Sequence, residues 1–266
     1  MKRLVLTTAF VVAIAMAASS TAAPSPDATK NANSACTALR AKIGPTVFGQ
    51  AYATFGRCVS ALAQVEQQNL TSAQSACTAE QSDPTFAAIH GGKTFDQFYG
   101  SGPKGKNAFG NCVSAKARAS SRAEGQDRPN PARTCRAART ASPEAFKLLY
   151  GNSANAFGKC VSKAAKAQTQ NELNAAQTCR AEQSDATFVA DHGGKTFAQF
   201  YGTNADMSNA FGKCVSTKAS EKTQSQQQAT VAAAKACLSE RNADQPAFRT
   251  KYGTFGHCVS LKARGK

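Results

Sequence analysis

Ten cysteines arranged in five copies of one short pattern constrain this chain more than any other feature. The motif Phe-Gly-x-Cys-Val-Ser begins at Phe55, Phe109, Phe157, Phe211 and Phe255. A further cysteine precedes each motif, and these are Cys36, Cys77, Cys135, Cys179 and Cys237. Recurrence of one pattern at a nearly constant spacing is typical of tandem repeats. We therefore predict five two-cysteine units with a period of about 51 residues and, because short and long units alternate, a super-period of about 102 residues.

An aromatic pair, Phe-x-x-x-Tyr, also recurs once in each unit. Its tyrosines are Tyr52, Tyr99, Tyr150, Tyr201 and Tyr252. Residues four apart share one face of an α-helix, so each pair predicts a short helix with both rings on its packed side. We interpret these tyrosines as structural aromatics, and we expect a glycine after the last four to end the helix in a left-handed conformation.

The segments that join consecutive units predict long helices and also decide the disulfide pairing. Residues 160–179 contain no proline or glycine, and the same holds for 58–77 and 214–237. If 160–179 is helical, a rise of 1.5 Å per residue places its two cysteines about 28 Å apart, whereas a disulfide needs Cα atoms within about 7 Å. The cysteines must then pair within units. The predicted pairs are Cys36–Cys58, Cys77–Cys112, Cys135–Cys160, Cys179–Cys214 and Cys237–Cys258.

The predicted fold is therefore all-α, with five tandem disulfide-closed helical hairpins joined by long helices. We expect a signal peptide over 1–22, a flexible segment over 23–33, and the first two repeats over 34–118. Gly125, Pro129 and Pro131 predict a hinge or linker over 119–132, and the remaining three repeats occupy 133–264.

The N-terminal segment, 1–22, indicates export. A charged start, Met1-Lys2-Arg3, precedes a mostly apolar run over 4–18 and small residues up to Ala22. The competing interpretation, an uncleaved anchor, is disfavoured because the run is shorter than the roughly 20 residues that span a bilayer. An even number of cysteines after this segment also favours an oxidising compartment. We expect a secreted, periplasmic or extracellular protein whose mature part has no transmembrane segment.

Charge is the main functional indication in the sequence. The chain carries a formal net charge of +16, and residues 104–140 contain nine basic and only two acidic residues. The candidate anion-binding residues are Lys104, Lys106, Lys116, Arg118, Arg122, Arg128, Arg133, Arg136 and Arg139. Such a stretch attracts polyanions in a salt-sensitive way. The alternative is a solubilising surface without a ligand.

No motif in the sequence predicts a catalytic, metal or cofactor site. The repeated His-Gly-Gly-Lys-Thr lacks the first glycine of a phosphate-binding loop, since Ala87 and Val189 occupy that position. No two cysteines have the close spacing that zinc ligands require. The serine two residues after each motif cysteine has no base at a fixed spacing.

The sequence therefore favours a non-enzymatic protein that binds an anionic extracytoplasmic partner: a cell-envelope polymer, a polysaccharide or a nucleic acid. A secreted effector or inhibitor that binds another protein through the repeat surface is the alternative, and a hydrolase is a third class. A continuous basic face would favour the first, an exposed apolar patch the second, and a groove with a clustered carboxylate pair the third.

Overall fold

The computed structural model describes residues 23–102 and 104–265, and the predicted signal peptide lies outside these residues. The prediction of an all-α fold is confirmed, because the described part of the chain contains helices and no strand. The helices are α1 Pro26–Ile43, α2 Pro45–Tyr52, α3 Phe55–Ser82, α4 Phe86–Ile89, α5 Phe95–Tyr99, α6 Ala108–Asp127, α7 Pro131–Ala141, α8 Pro143–Tyr150, α9 Ala156–Gln183, α10 Phe188–Asp191, α11 Phe197–Tyr201, α12 Ala210–Ala243, α13 Gln245–Tyr252 and α14 Phe255–Lys262.

The long helices coincide with the segments that the sequence predicted. Helices α3, α9 and α12 have 28, 28 and 34 residues, and each runs without a break from a motif cysteine to the first cysteine of the next unit. The side chain of Thr54 accepts a hydrogen bond from the backbone of Arg57 at the start of α3, where the first N–H groups of a helix have no partner inside the helix. The two short helices α5 and α11 begin with complete capping boxes at Thr94 and Thr196.

Five disulfides join the cysteines expected from the helix geometry. They are Cys36–Cys58, Cys77–Cys112, Cys135–Cys160, Cys179–Cys214 and Cys237–Cys258. The Cα atoms of each pair are 5.9 to 6.1 Å apart, within the usual range for a disulfide. Each bond joins one helix to a cysteine near the beginning of another.

Two local expectations were wrong, and a third held at only two of its four positions. Residues 26–33 are the first half of α1, with Ala28 and Ala32 fully buried, so 23–33 is not a flexible segment. Residues 119–127 continue α6 through Gly125, and only 128–130 separate α6 from α7, so the break is far shorter than the predicted hinge over 119–132. Of the four glycines that follow the tyrosines, Gly151 and Gly253 have the expected positive φ, whereas Gly100 and Gly202 have negative φ and lie close to the backbone of the following loop.

The hydrophobic clusters are shared between predicted units. Ala28 of α1 packs with the Cys77–Cys112 cluster, and Ala51 of α2 packs with the Cys135–Cys160 cluster. Ala145 of α8 likewise packs with the Cys237–Cys258 cluster. A unit of this chain therefore completes its core with side chains from other units.

The long helices form two antiparallel pairs that pack on each other. In the pair α3–α6, the disulfide Cys77–Cys112 lies at one end, and Ser121 donates to Glu66 further along. The pair α9–α12 has the same arrangement, and α6 packs on α12 while α3 packs on α9. None of the helices in residues 23–102 and 104–265 combines the length and the hydropathy that crossing a membrane requires.

Candidate functional site

Two of the nine predicted anion-binding residues are buried in ion pairs. Lys116 Nζ lies 2.7 Å from Glu80 Oε1. Arg128 Nε donates to Glu172 Oε1 at 2.8 Å, and Arg128 Nη2 donates to Glu172 Oε2. The side chains of Arg128 and Glu172 are only 7% and 4% exposed. Both cations are therefore occupied inside the protein, and their assignment to anion binding is corrected.

The other seven predicted cations are exposed. They form three groups: Lys104 and Lys106 before α6, Arg118 and Arg122 on α6, and Arg133, Arg136 and Arg139 on α7. Within the described residues, none of the seven has a carboxylate oxygen within 4.0 Å. The guanidinium of Arg139 lies 5.4 Å from the ring centroid of Phe157, which restrains it through a cation–π contact. These seven charges remain free to interact with a ligand.

A groove of about 1130 Å³ lies between α1, α3 and α6. Lys30 of α1 and the α6 residues Arg118 and Arg122 line it, whereas the three arginines of α7 do not. Its apolar lining includes Leu39, Leu70, Phe109 and Val113. The structure thus separates the predicted cations, placing one pair on a groove wall and three on a different helix.

Two buried carboxyl groups, Glu66 and Glu124, also line this groove. Asn69 Nδ2 lies between them and donates to Glu66 Oε2 at 3.3 Å and to Glu124 Oε2 at 3.2 Å. Burial raises the pKa of Glu66, although hydrogen bonds from Ser121 and Asn69 oppose the shift. Burial, together with the charges of Glu66 and Glu172, raises the pKa of Glu124 well above its ordinary value. Both effects disfavour the charged form of this carboxyl group.

The carboxyl pair of Glu66 and Glu124 is relevant to the hydrolase interpretation, which a groove with a clustered carboxylate pair would favour. Glu66 and Glu124 are only 2% and 4% exposed. Asn171, one super-period after Asn69, donates to Gln226, the counterpart of Glu124, at 2.9 Å and to Thr223 at 3.0 Å. The carboxyl pair is thus one version of a buried hydrogen-bond network that also exists with neutral groups.

The second and fourth units, whose paired cysteines are 35 positions apart, are the long units. Each carries an aromatic cluster that the sequence analysis only partly anticipated. His90 stacks on Phe86 with ring centroids 3.8 Å apart, and His192 stacks on Phe188 at the same distance. In both, Nδ1 of the histidine lies within hydrogen-bond distance of the phenylalanine carbonyl oxygen, at 2.9 and 2.8 Å. The glycine turns after these histidines lead into the Thr-capped helices α5 and α11, in the arrangement of a structural turn.

Exposed apolar side chains concentrate in the same two units. In the described part of the chain, the large apolar residues with high exposure are Ile89, Phe98, Val189, Phe200 and Met207. Sequence reasoning missed Phe98 and Phe200. The available signal was the dipeptide Phe-Tyr, since adjacent residues on a helix point about 100° apart and cannot both face the same packed side.

The five predicted structural tyrosines all pack against the phenylalanine four residues earlier. The ring centroids are 4.8 to 5.3 Å apart. The hydroxyl groups of Tyr99, Tyr201 and Tyr252 donate to Glu80, Glu182 and Glu240, each at 2.9 Å. These contacts tie each short helix to the end of a long helix.

No protein-family model, curated protein or solved structure matches this chain.

Proposed function

We propose that this chain is a non-enzymatic extracytoplasmic protein that binds an anionic polymer, such as a cell-envelope polymer, a polysaccharide or a nucleic acid. The observation that supports this function is the set of seven exposed cations between residues 104 and 139, none of which has a carboxylate within 4.0 Å among the described residues. Lysines elsewhere, such as Lys213, Lys218 and Lys262, are already paired with acidic residues. Unpaired cations at this density attract a polyanion by releasing its counterions.

Charge reversal on α7 tests this function. The triple variant Arg133→Glu, Arg136→Glu and Arg139→Glu should weaken heparin binding more than a matched variant that reverses the exposed lysines Lys147, Lys163 and Lys166. We also expect the dependence of log K on log salt concentration to become shallower by about 2 to 3 for the α7 variant, because each lost phosphate or sulfate contact removes roughly 0.7 to 0.9 from the slope. Equal losses in the two variants, or no binding by the wild type at about 50 mM salt, where such attraction is strong, would refute the proposal.

The exposed apolar side chains favour one alternative function, a secreted effector or inhibitor that binds another protein. Phe98 and Phe200, at equivalent places in α5 and α11, are 39% and 46% exposed. Paired exposed aromatic residues are typical anchors of protein interfaces. Under this alternative, Phe98→Ser combined with Phe200→Ser would abolish binding of the protein partner. The same variant would leave heparin binding unchanged in a titration of the same preparation.

An oxidising compartment is part of the same proposal. All ten cysteines are paired, which is typical of proteins outside the cytosol. We propose that residues 1–22 are removed during export and that the mature chain begins near Ala23. Intact-mass measurement of protein recovered from the producing cell's exterior tests this, and a chain that retains Met1 would contradict it.

We also propose that the five two-cysteine units are structural repeats. The support comes from contacts that recur with the super-period of the sequence. Lys116 pairs with Glu80 as Lys218 pairs with Glu182. Superposing the five units on their disulfides tests the proposal, since true repeats would align their helices over most of each unit.

A further inference from the structure

Helices α6 and α12 present the same helix face in two different environments. Helices α6 and α12 both begin with Ala-Phe-Gly-x-Cys-Val-Ser, and the two copies are one super-period apart. Both form a disulfide with the preceding long helix, Cys77–Cys112 and Cys179–Cys214. Positions one super-period apart therefore occupy equivalent places on the two helices and can be compared directly.

On α12, this face is covered by another helix of the same chain. A Cβ added to Gly212 would lie 2.3 Å from the carbonyl oxygen of Ser120, which shows how closely α6 crosses α12 there. Asp127 of α6 accepts hydrogen bonds from Lys213 Nζ at 2.9 Å and from Ser216 Oγ at 2.8 Å. Gly212 and Ser216 are buried. The face beginning at Gly212 is thus a helix-packing surface, formed by residues four apart.

On α6, the equivalent face lies open. Gly110 and Ser114, the counterparts of Gly212 and Ser216, are exposed and line the groove between α1, α3 and α6. A Cβ added to Gly110 would meet no atom within 4 Å. Ser121, the counterpart of the buried Thr223, lines the same groove. The surface that receives a helix in the second half is therefore uncovered by the described residues in the first half.

The size of the groove suits a short helical segment. An α-helix with its side chains is about 10 Å across, so its cross-section is about 80 Å². The groove volume of about 1130 Å³ then corresponds to about 14 Å of helix, or roughly nine residues at 1.5 Å per residue. This is two to three turns, enough to cross α6 and contact α1.

The charges on the groove indicate the sign of its occupant. Arg118 and Arg122 take the places that Ser220 and Gln224 hold on α12, so cations replace neutral residues on the open face. Lys30 and Lys42 of α1 also line the groove, against the single exposed carboxylate of Asp27. Lys42 already donates to backbone carbonyl oxygens at the end of α6, so Lys30 is the third cation available to an occupant. In the described part of the chain, neither arginine has a carboxylate within 4.0 Å. An occupant that carries carboxylates on its contact face would satisfy these charges.

We propose that the groove between α1, α3 and α6 docks an acidic amphipathic helix of another protein, which crosses α6 at Gly110 as α6 crosses α12 at Gly212. This inference concerns a different class of partner from the polyanion proposal and shares only Arg118 and Arg122 with it. It does not depend on that proposal, because the variant that tests polyanion binding changes only the arginines of α7. The covered face of α12 supplies the geometric precedent, and the two arginines supply the charge complementarity.

A synthetic peptide provides the probe. It carries the sequence of residues 113–127, which contain the side of α6 that covers α12, including Ser120 and Asp127. Lys116→Glu places a further carboxylate on that side, Arg118→Gln and Arg122→Gln remove the cations from the opposite side, and an added side-chain staple keeps the peptide helical. A stapled peptide of the same composition in scrambled order and unstructured poly-glutamate are the control ligands. Fluorescence anisotropy of the labelled peptide with the oxidised protein gives the affinity.

Gly110→Leu is the decisive variant, and Gly256→Leu is its matched control. Both glycines occupy the same motif position with no atom within 4 Å of an added Cβ, and neither has positive φ, but only Gly110 lines the groove. We expect Gly110→Leu to weaken peptide binding at least tenfold and Gly256→Leu to leave it unchanged, with the same circular dichroism for both. Arg118→Gln with Arg122→Gln should weaken binding about tenfold, and binding should decline with salt.

Several results would overturn the inference. The first is the absence of saturable binding up to about 1 mM peptide, which corresponds to an interaction weaker than about 4 kcal/mol. The second is equal binding of the scrambled peptide. The third is competition by poly-glutamate that is equally strong in the wild type and in Gly110→Leu. Tighter binding of dodecanoate than of the peptide would assign the groove to small amphipathic anions instead. Self-association that Gly110→Leu abolishes in sedimentation experiments would assign it to a second copy of this chain.

Discussion

The buried ion pair between Arg128 and Glu172 allows a quantitative prediction. Arg128 follows α6 and Glu172 lies in α9, so the pair joins the two halves of the molecule. Replacing Arg128 with Met leaves Glu172 buried without its cation, near the carboxyl groups of Glu66 and Glu124. Loss of one partner of a buried pair typically costs about 3 to 5 kcal/mol of unfolding free energy.

Glutamate can be neutralised in a folded protein and arginine cannot, so the two single variants should lose unfolding free energy with different pH dependence. An unpaired Glu172 can become neutral on folding, and from its ordinary pKa of 4.5 this costs about 3.4 kcal/mol at pH 7, since each pKa unit is worth about 1.36 kcal/mol. The electrostatic cost of Arg128→Met is therefore capped near that value and declines toward zero as the pH falls to about 4.5. Arginine cannot lose its proton in a protein, so Glu172→Leu should cost at least as much and keep that cost at pH 4.5.

The double variant Arg128→Met with Glu172→Leu removes both charges. Leu70 already occupies the place equivalent to Glu172 in the first half of the chain, so an apolar residue is compatible with this position. Replacing a buried pair with apolar residues of similar volume is often neutral or stabilising. We expect the double variant to lie within about 1 kcal/mol of the wild type.

Urea unfolding followed by circular dichroism at pH 7 and pH 4.5, with the disulfides intact, measures these quantities. Lys213→Met is the control, because its partner Asp127 is 37% exposed and a surface pair should contribute less than about 1 kcal/mol. A cost below about 1 kcal/mol for Arg128→Met at pH 7 would refute the reasoning, because a buried pair should exceed that value. A double variant that costs the sum of the two single variants would refute it as well.

Three further predictions concern protonation, the disulfides and proteolysis. Because burial raises the pKa of Glu124, the folded state holds this proton more tightly than the unfolded state. The resulting stabilisation is present below the unfolded pKa of about 4.5 and is lost as the pH rises through the folded pKa. Glu124→Gln should therefore raise the unfolding free energy more at pH 8 than at pH 4. Complete reduction should abolish the helical signal, since each disulfide closes a loop whose ends are 21 to 35 positions apart and contributes about 3 to 4 kcal/mol in the chain-entropy model; helicity retained after reduction and alkylation would contradict this. Trypsin should cut first after Lys104 or Lys106, exposed between α5 and α6, and the two fragments should separate on a gel only after reduction of Cys77–Cys112, whereas a first cut within 119–127 would contradict the helical structure there.

The disulfide pairing and the long helices were predictable from the sequence because both follow from local geometry. A long segment without proline or glycine, such as 160–179, is a rigid rod if it is helical. The rod keeps its terminal cysteines apart, which leaves pairing within units as the remaining arrangement. The capping boxes at Thr94 and Thr196 are local in the same way, since each needs only a Thr and a Gln three residues later.

The errors arose where packing between distant segments overrode local signals. Ser25 followed by Pro26 is a helix-start signal, and the buried positions Ala28 and Ala32 are four residues apart, yet 23–33 was predicted to be flexible. Gly125 did not end α6, because a glycine costs a helix only about 1 kcal/mol and the packing of α6 on α3 and α12 offsets it.

The groove and its buried carboxyl groups could not be predicted from the sequence. The groove exists because α1 and α6, which are distant in the chain, both lie against α3. Nothing in the charge pattern distinguishes the buried Lys116 and Arg128 from the exposed Arg118 and Arg122. A comparison of Glu66 and Glu124 with their counterparts Gln168 and Gln226 shows that the two halves differ there, but it does not show that the positions are buried.

The order of the disulfides has a consequence for how the chain matures. The cysteines pair in the order in which they occur along the sequence, the first with the second through to the ninth with the tenth. A chain that emerges from its N-terminus therefore presents the correct partner before any later cysteine arrives. Oxidation can proceed in step with emergence, without reshuffling of wrongly paired intermediates. We therefore expect an oxidant alone to be sufficient for correct pairing, without a disulfide isomerase.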